Sequence, residues 1–159
     1  MKILVVADTH NVTAPIINQI KKEKADMLFF LGDFVKDGED IKRKLQIPAY
    51  IIAGNGDMAT YYKKEQLLKI RDKRILLTHG HQYNIKNGLQ RLYYYGVENR
   101  INAILFAHTH IPYLNWEEEV LIMNPGSPTF PRGGSNIGTY GILNIGSEMT
   151  AELVKCQRI

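Results

Sequence analysis

One cysteine, Cys156, stands in a chain of 159 residues. No intramolecular disulfide is possible, so the fold is expected to rest on its core alone; such usage fits a reducing, cytoplasmic setting. Long apolar runs are missing too. The first, Ile3–Ala7, is too short for the hydrophobic region of a signal peptide and meets Asp8 at once. No run approaches the ~20 apolar residues of a membrane span, so no membrane partner is expected. Repeats, low-complexity tracts and linkers are absent. One domain over residues 1–159 is expected, long enough to bury a real core. Neither sign of charge dominates: 20 Lys and Arg against 16 Asp and Glu leave +4. That balance suits anionic partners without specifying nucleic acid. The basic clusters Lys21–Lys24 and Lys42–Lys44 read as solvated helix faces.

What is present is a series of short apolar runs, each ending in polar residues. Ile3–Ala7 ends in Asp8-Thr9-His10, Met27–Leu31 in Gly32-Asp33, and Ala49–Ala53 in Gly54-Asn55-Gly56-Asp57. Leu67–Ile70 and Arg74–Leu77 read as a hairpin whose second arm ends in Thr78-His79-Gly80-His81. Ile104–Ala107 ends in His108-Thr109-His110, and Val120–Met123 in Asn124-Pro125-Gly126-Ser127. Between them, Thr13 is placed to cap a helix with Ile16, Ile17 and Ile20 inward, and Asp37 or Asp40 to open a second. A third helix is read over Gly88–Asn99, with Leu89, Leu92, Tyr93 and Val97 facing in. Thr139–Ile145 and Met149–Val154 form a closing hairpin. Tyr61-Tyr62 and Tyr93-Tyr94-Tyr95 are candidates for a homo-oligomer interface, with at least one of each run packing the core.

The early βαβα order predicts an α/β layered domain, and in such sheets ligands bind beyond the carboxyl ends of the strands. The polar clusters sit at that rim. They contain aspartates, an asparagine and histidines, with no lysine or arginine among them. An ionised aspartate at the end of a buried strand is costly unless a positive charge is near. A divalent ion is the natural counter-charge, and mixed carboxylate, amide and imidazole ligands suit Mn²⁺, Fe²⁺, Zn²⁺ or Ni²⁺. There are more ligands than one ion needs. Two ions about 3.5–4 Å apart, sharing a carboxylate, would use them all.

In order along the chain, Asp8-x-His10, Gly32-Asp33, Gly54-Asn55-x-Asp57, Thr78-His79-Gly80-His81 and His108-x-His110 resemble the motifs of calcineurin-like metallophosphoesterases. The size and the Asn124–Ser127 stretch are similar to the small, single-domain YfcE-type phosphodiesterase branch. The resemblance implies a four-layer α/β/β/α sandwich of two mixed sheets flanked by helices. It implies one ion held by Asp8, His10 and His110, another by Asn55, His79 and His108, and Asp33 bridging them. It further implies hydrolysis of phosphodiesters by a hydroxide that bridges two divalent ions, with Mn²⁺ the expected metal. The expected substrate is a small phosphodiester or other phosphate ester, with nucleic acid entering only as substrate. Asn55 would steady the phosphoryl group, and His81 would contact the phosphate or protonate the leaving alkoxide.

Two residues depart from the family pattern. Many members carry histidine after the motif asparagine, where this chain has Gly56. The usual glycine before the final histidine pair is Ala107, which is expected to shift the backbone slightly. The rival reading is a protein-interaction scaffold, as in the retromer subunit of this fold. A filled ligand set speaks against it. A structural-metal protein is a third reading, disfavoured because closed structural sites prefer cysteine and histidine.

Overall fold

The computed structural model describes residues 1–157 and contains two five-stranded mixed sheets. The first carries β1 (Lys2–Val6), β2 (Met27–Phe30), β3 (Ala49–Ile51), β9 (Thr139–Ile145) and β10 (Met149–Lys155) in the order β10-β9-β1-β2-β3. The second carries β4 (Glu65–Ile70), β5 (Lys73–Thr78), β6 (Ala103–Leu105), β7 (Tyr113–Glu117) and β8 (Val120–Asn124) in the order β4-β5-β6-β8-β7. Strands β1, β2 and β3 run parallel, as do β5, β6 and β8. The outer pairs β9–β10, β4–β5 and β7–β8 are antiparallel.

Period-two alternation explains why the parallel strands read as unbroken apolar runs. Ile3, Val5, Phe29 and Leu31 point into the core between the sheets, beside Ile75, Leu77, Leu105 and Met123. Leu4, Val6, Leu28 and Phe30 point the other way, under α1 (Ala14–Lys22) and α2 (Val35–Leu45), whose Ile16, Ile20 and Ile41 cover them. On the far side Leu76, Ile104 and Ile122 pack with Leu92 of α3 (Gln90–Glu98). The layers are therefore helices, sheet, sheet and helix, and the parallel strands of both sheets deliver their carboxyl ends to one rim.

Several expectations change. Strand β6 is shorter than the apolar run Ile104–Ala107, because the chain turns to present His108. Strand β7 has no counterpart in the sequence reading. It follows Pro112, pairs on one side, and is largely exposed, so it lacks the apolar signal of a buried strand. Val97 is 47% exposed instead of facing in, while Gly96 takes the buried position against Ile104. Helix α2 opens at Val35, and its cap comes from elsewhere in the chain: the Val35 N–H donates to Asp57 Oδ1 at 2.8 Å. Tyr62 packs against the core below α2 while Tyr61 is fully exposed; Tyr93 and Tyr95 pack under α3 while Tyr94 is exposed.

Thr13 occupies the capping position of α1 without capping it; its hydroxyl donates to Asp40 Oδ2 at 2.9 Å, tying α1 to α2. Lys44 also reaches Asp40, at 2.7 Å, and Arg43 joins them. The hydrogen bond from Lys44, seconded by Arg43 and Thr13, holds the Asp40 carboxyl down at about 2. A carboxyl lowered on folding stabilises the fold above its unfolded value of about 3.9 and loses that contribution as pH falls through the folded one. Asp40→Asn is expected to cost a few tenths to ~1 kcal/mol at pH 7, the scale of partly exposed pairs. Urea titrations should show the gap to wild type closing between about pH 4 and pH 2. A gap that stays constant over that window would contradict this account.

Candidate metal centre

Five strand ends converge at the rim. Asp8 and His10 follow β1, Asp33 follows β2, Asn55 follows β3, His79 and His81 follow β5, and His108 and His110 follow β6. The chain's five histidines all lie here. The backbone that carries them is unusual. Asp8, His10, Asp33, His108 and His110 have φ of 55°, 47°, 54°, 70° and 60°. Left-handed backbone is uncommon for residues with a Cβ and clusters at functional sites. The loops Asp8-Thr9-His10 and His108-Thr109-His110 repeat one design, two left-handed residues around a threonine. The Asp33 and Asn55 loops nest so closely that a Cβ on Gly32 would lie 2.4 Å from Gly54 N.

The geometry brings the expected residues together. Asp8, His10 and His110 present ligand atoms mutually within 4.8 Å, and so do Asp8, Asp33 and His79. Asp33 Oδ1 lies 3.4 Å from His79 Nε2, and its Oδ2 lies 3.9 Å from His10 Nε2. One carboxylate thus faces both halves. Asp8 Oδ1 sits between them, 3.7 Å from His110 Nε2 and 3.9 Å from His79 Nε2. Asn55 Oδ1 is 3.2 Å from His79 Nε2. The His108 ring stacks edge-on at 5.2 Å from that of His79, beside the second cluster but outside the tight set of ligand atoms.

The hydrogen bonds decide what can sit between these atoms. His79 Nδ1 lies 2.7 Å from the Leu31 carbonyl, and His110 Nδ1 2.8 Å from the Phe130 carbonyl. A carbonyl only accepts, so each Nδ1 carries the proton and each Nε2 presents a lone pair. His79 Nε2 therefore faces the Asn55 carbonyl oxygen as acceptor against acceptor. His110 Nε2 faces His10 Nε2 at 3.2 Å. Asp8 Oδ1 is buried with no hydrogen-bond partner among the described residues. Lone pairs converging from two carboxylates, an amide and imidazoles repel one another unless a cation lies among them. The donor set fits divalent metal.

Burial raises the Asp8 carboxyl well above the usual range, and the neighbouring Asp33 adds to the rise. Burial also lowers His79 and His110, and drives His108 down to about 4 with help from His79 and Lys86. These imidazoles are neutral near pH 7, the state that binds metal. Cations left out of the sequence clusters do reach the centre from other segments. Arg132 acts on Asp8 and His110, Lys64 on His81, and Lys86 on His108. None could be assigned from spacing, because each arrives on a separate loop.

Further positioning residues were equally hidden. Buried Asp37 accepts from Thr9 Oγ1 at 2.6 Å and Asn11 N at 2.8 Å, pinning the first ligand loop. Asn124 donates to the Ala107 carbonyl and to Thr109 Oγ1, both at 3.0 Å. Ser127 donates to the Asp8 carbonyl at 2.8 Å. Ala107 is fully buried and keeps an ordinary φ, so the departure from glycine needs no left-handed residue there. Gly56 also has no left-handed φ, but a Cβ there would lie 3.2 Å from Asp33 Oδ1. His81 opens a short 3₁₀ turn, His81–Tyr83, with its Nδ1 buried and unpaired among the described residues. Its ring lies 5.5 Å from that of His79.

Comparison with known proteins agrees with this architecture. The Bacillus subtilis probable metallophosphoesterase YsnB is 31% identical over 134 residues, 83% of this chain and 78% of the relative. The Escherichia coli phosphodiesterase YfcE is 25% identical over 169 residues, covering 91% and 88% of the two chains. Among solved structures, Entamoeba histolytica Vps29 complexed with zinc superposes with a TM-score of 0.80 at 19% identity, over 99% of this chain and 100% of that one. The profile of the calcineurin-like phosphoesterase superfamily domain matches residues 1–148, and with the fold and the convergent strand-end residues in place the chain belongs to that family.

Proposed function

We propose that this chain is a metal-dependent phosphodiesterase. The observation that carries this reading is the cage of acceptors, in which Asp8, Asp33, Asn55, His79 and His110 turn lone pairs toward one another, with His10 Nε2 3.2 Å from His110 Nε2. Asp8, His10 and His110 would hold one divalent ion, and Asn55, His79 and His108 a second, with Asp33 shared; Mn²⁺ is the metal proposed. Such ions lower the pKa of bound water toward neutrality and offset the charge that develops on phosphoryl oxygens.

The chain's own residues do the rest. With its carbonyl turned to His79, Asn55 keeps its amide N–H groups for a phosphoryl oxygen, where a fixed donor stabilises growing charge. His81 is the candidate to hold the phosphate or give a proton to the departing alkoxide. Carbonyl acceptors on Leu31 and Phe130 fix the ring orientation of His79 and His110. Asn124, Ser127 and Asp37 brace the two left-handed loops against the rest of the fold. Entamoeba histolytica Vps29, of the same fold, is complexed with zinc, so metal binding does not separate the enzyme from a scaffold; turnover of a model diester with added Mn²⁺ does.

Asp33→Asn keeps an oxygen for the Gly56 N–H, which now donates to Asp33 Oδ1 at 2.8 Å, but removes the charge shared by both halves. Metal content by elemental analysis and diester turnover should fall together, with turnover down roughly a hundredfold or more. Full occupancy with near-normal turnover would sink the shared-ligand assignment.

Asn124→Ala strands the Gly126 N–H, which donates to Asn124 Oδ1 at 2.8 Å, and removes the amide donor shared by Thr109 Oγ1 and the Ala107 carbonyl, which keeps only the Thr109 N–H. A loss of about 1–3 kcal/mol in stability is expected, with metal affinity roughly 10–100-fold weaker. Denaturation curves and metal titration check both; unchanged affinity would show that this brace does not reach the ligands.

Gly56→His should raise turnover of diesters with poor leaving groups more than that of aryl diesters, since general acid help matters most for the former. The φ at Gly56 permits a side chain, but the new Cβ crowds Asp33, so metal content is measured alongside. An unchanged ratio of the two activities in a fully metallated variant would mean that a missing acid at this position does not limit the reaction.

A further inference from the structure

Beside the His108-Thr109-His110 loop lies a cavity of about 380 Å³. Its lining includes Ile85, Leu89, Phe106, Thr109, Ile111 and Tyr113. Ile85 and Phe106, 5% and 2% exposed, belong to the core under α3 and make a fixed wall. Ile111 and Tyr113, directly after a ligand loop, are 44% and 36% exposed. The rings of Phe106 and Tyr113 stand 6.2 Å apart and tilted by 53°. The polar groups here are few. The Thr109 hydroxyl already accepts from Asn124 Nδ2 at 3.0 Å and Ile111 N at 3.2 Å. The remaining polar side-chain groups of the lining are the Tyr113 hydroxyl and the Lys86 ammonium, whose charge is felt by His108.

We propose that this cavity is the subsite for one ester arm of the substrate, and that it selects a flat ring, aryl or nucleobase, over a small alkyl group. The assignment rests on the phosphodiesterase reading and deepens it. Thr109 of the lining lies between His108 and His110, and the Lys86 charge reaches His108, so the cavity adjoins the proposed metal centre and lies within reach of an ester arm of a phosphate held there. The Lys86 ammonium complements the phosphate charge, while the walls offer mainly apolar area, with the Tyr113 hydroxyl as the one other polar side-chain group not already bonded. Selection is therefore by shape and apolar contact, which rewards a ring and is indifferent to its substituents. Ring-lined apolar pockets discriminate weakly between similar groups, but even a methylene in such a pocket is worth roughly 10–200-fold.

The test is calorimetric titration of the Mn²⁺-loaded protein with methyl phosphate, phenyl phosphate and thymidine 5′-monophosphate. Wild type should bind at least one ring ester about tenfold or more tightly than methyl phosphate. Preference for phenyl phosphate alone identifies an aryl arm, and preference extending to the thymidine ester identifies a nucleoside arm. The ratio should collapse toward one in Ile111→Ser and in Tyr113→Ala, and persist in Ile111→Leu. Both positions are partly exposed, so these variants probe the cavity with little demand on the core. Equal affinities in wild type, or a ring preference that survives both truncations, overturns the subsite. Turnover of bis(p-nitrophenyl) phosphate is measured in parallel. Turnover without ring preference overturns the subsite alone, and absence of turnover with added Mn²⁺ overturns both readings.

Discussion

Lone pair against lone pair is the constraint on which the rest of this structure depends. His79 Nε2 faces the Asn55 carbonyl, His110 Nε2 lies 3.7 Å from Asp8 Oδ1, and Asp8 Oδ1 lies buried between the two halves without a hydrogen-bond partner among the described residues. Left to themselves such groups repel, and burial, with the charge of Asp33 added, makes the Asp8 carboxyl hold its proton far more tightly than usual. Burying unpaired acceptors is expensive, yet the scaffold invests heavily in keeping them there. The tautomers of His79 and His110 are fixed by backbone carbonyls, and the two left-handed loops are pinned by Asp37, Ser127 and Asn124. A cation resolves the conflict, and the arrangement is then a preorganised electrostatic site.

The fold serves that arrangement directly. Parallel strands in two facing sheets bring their carboxyl ends to one rim, so short loops from β1, β2, β3, β5 and β6 can meet without any long excursion. Ligands mounted at strand ends inherit the rigidity of strands buried on both faces. The antiparallel edge pairs close each sheet on the outside and leave the rim to the parallel strands. The left-handed residues are the conversion step. They stop β1, β2 and β6 and turn their ligand side chains into the shared space, at a cost of order 1–3 kcal/mol each that the surrounding packing must offset.

Much of this was legible in the sequence because two signals coincide at each strand end. An unbroken apolar run means burial on both faces, and an abrupt Asp, Asn or His after it means a polar group where burial is costly. The sheets, the helices on their outer faces and the convergence of Asp8, His10, Asp33, Asn55 and His79 follow from those signals. What stayed hidden depends on contacts between distant segments. The cap that Asp57 gives to α2, the brace of Asp37 on Thr9, and the approach of Arg132 to Asp8 have no local spacing to reveal them. Strand β7 hides for a different reason, since an exposed edge lacks apolar alternation. Val97 misled because helical periodicity was counted through Gly96, which takes the inward position.

The central claim is that the cage is built for two divalent ions. It is tested most directly by stripping the protein with chelator and titrating it with Mn²⁺, counting bound metal per chain after desalting. The account predicts two equivalents, with Asp33→Asn weakening both sites together. Binding of no metal, or full binding that Asp33→Asn leaves untouched, would contradict it.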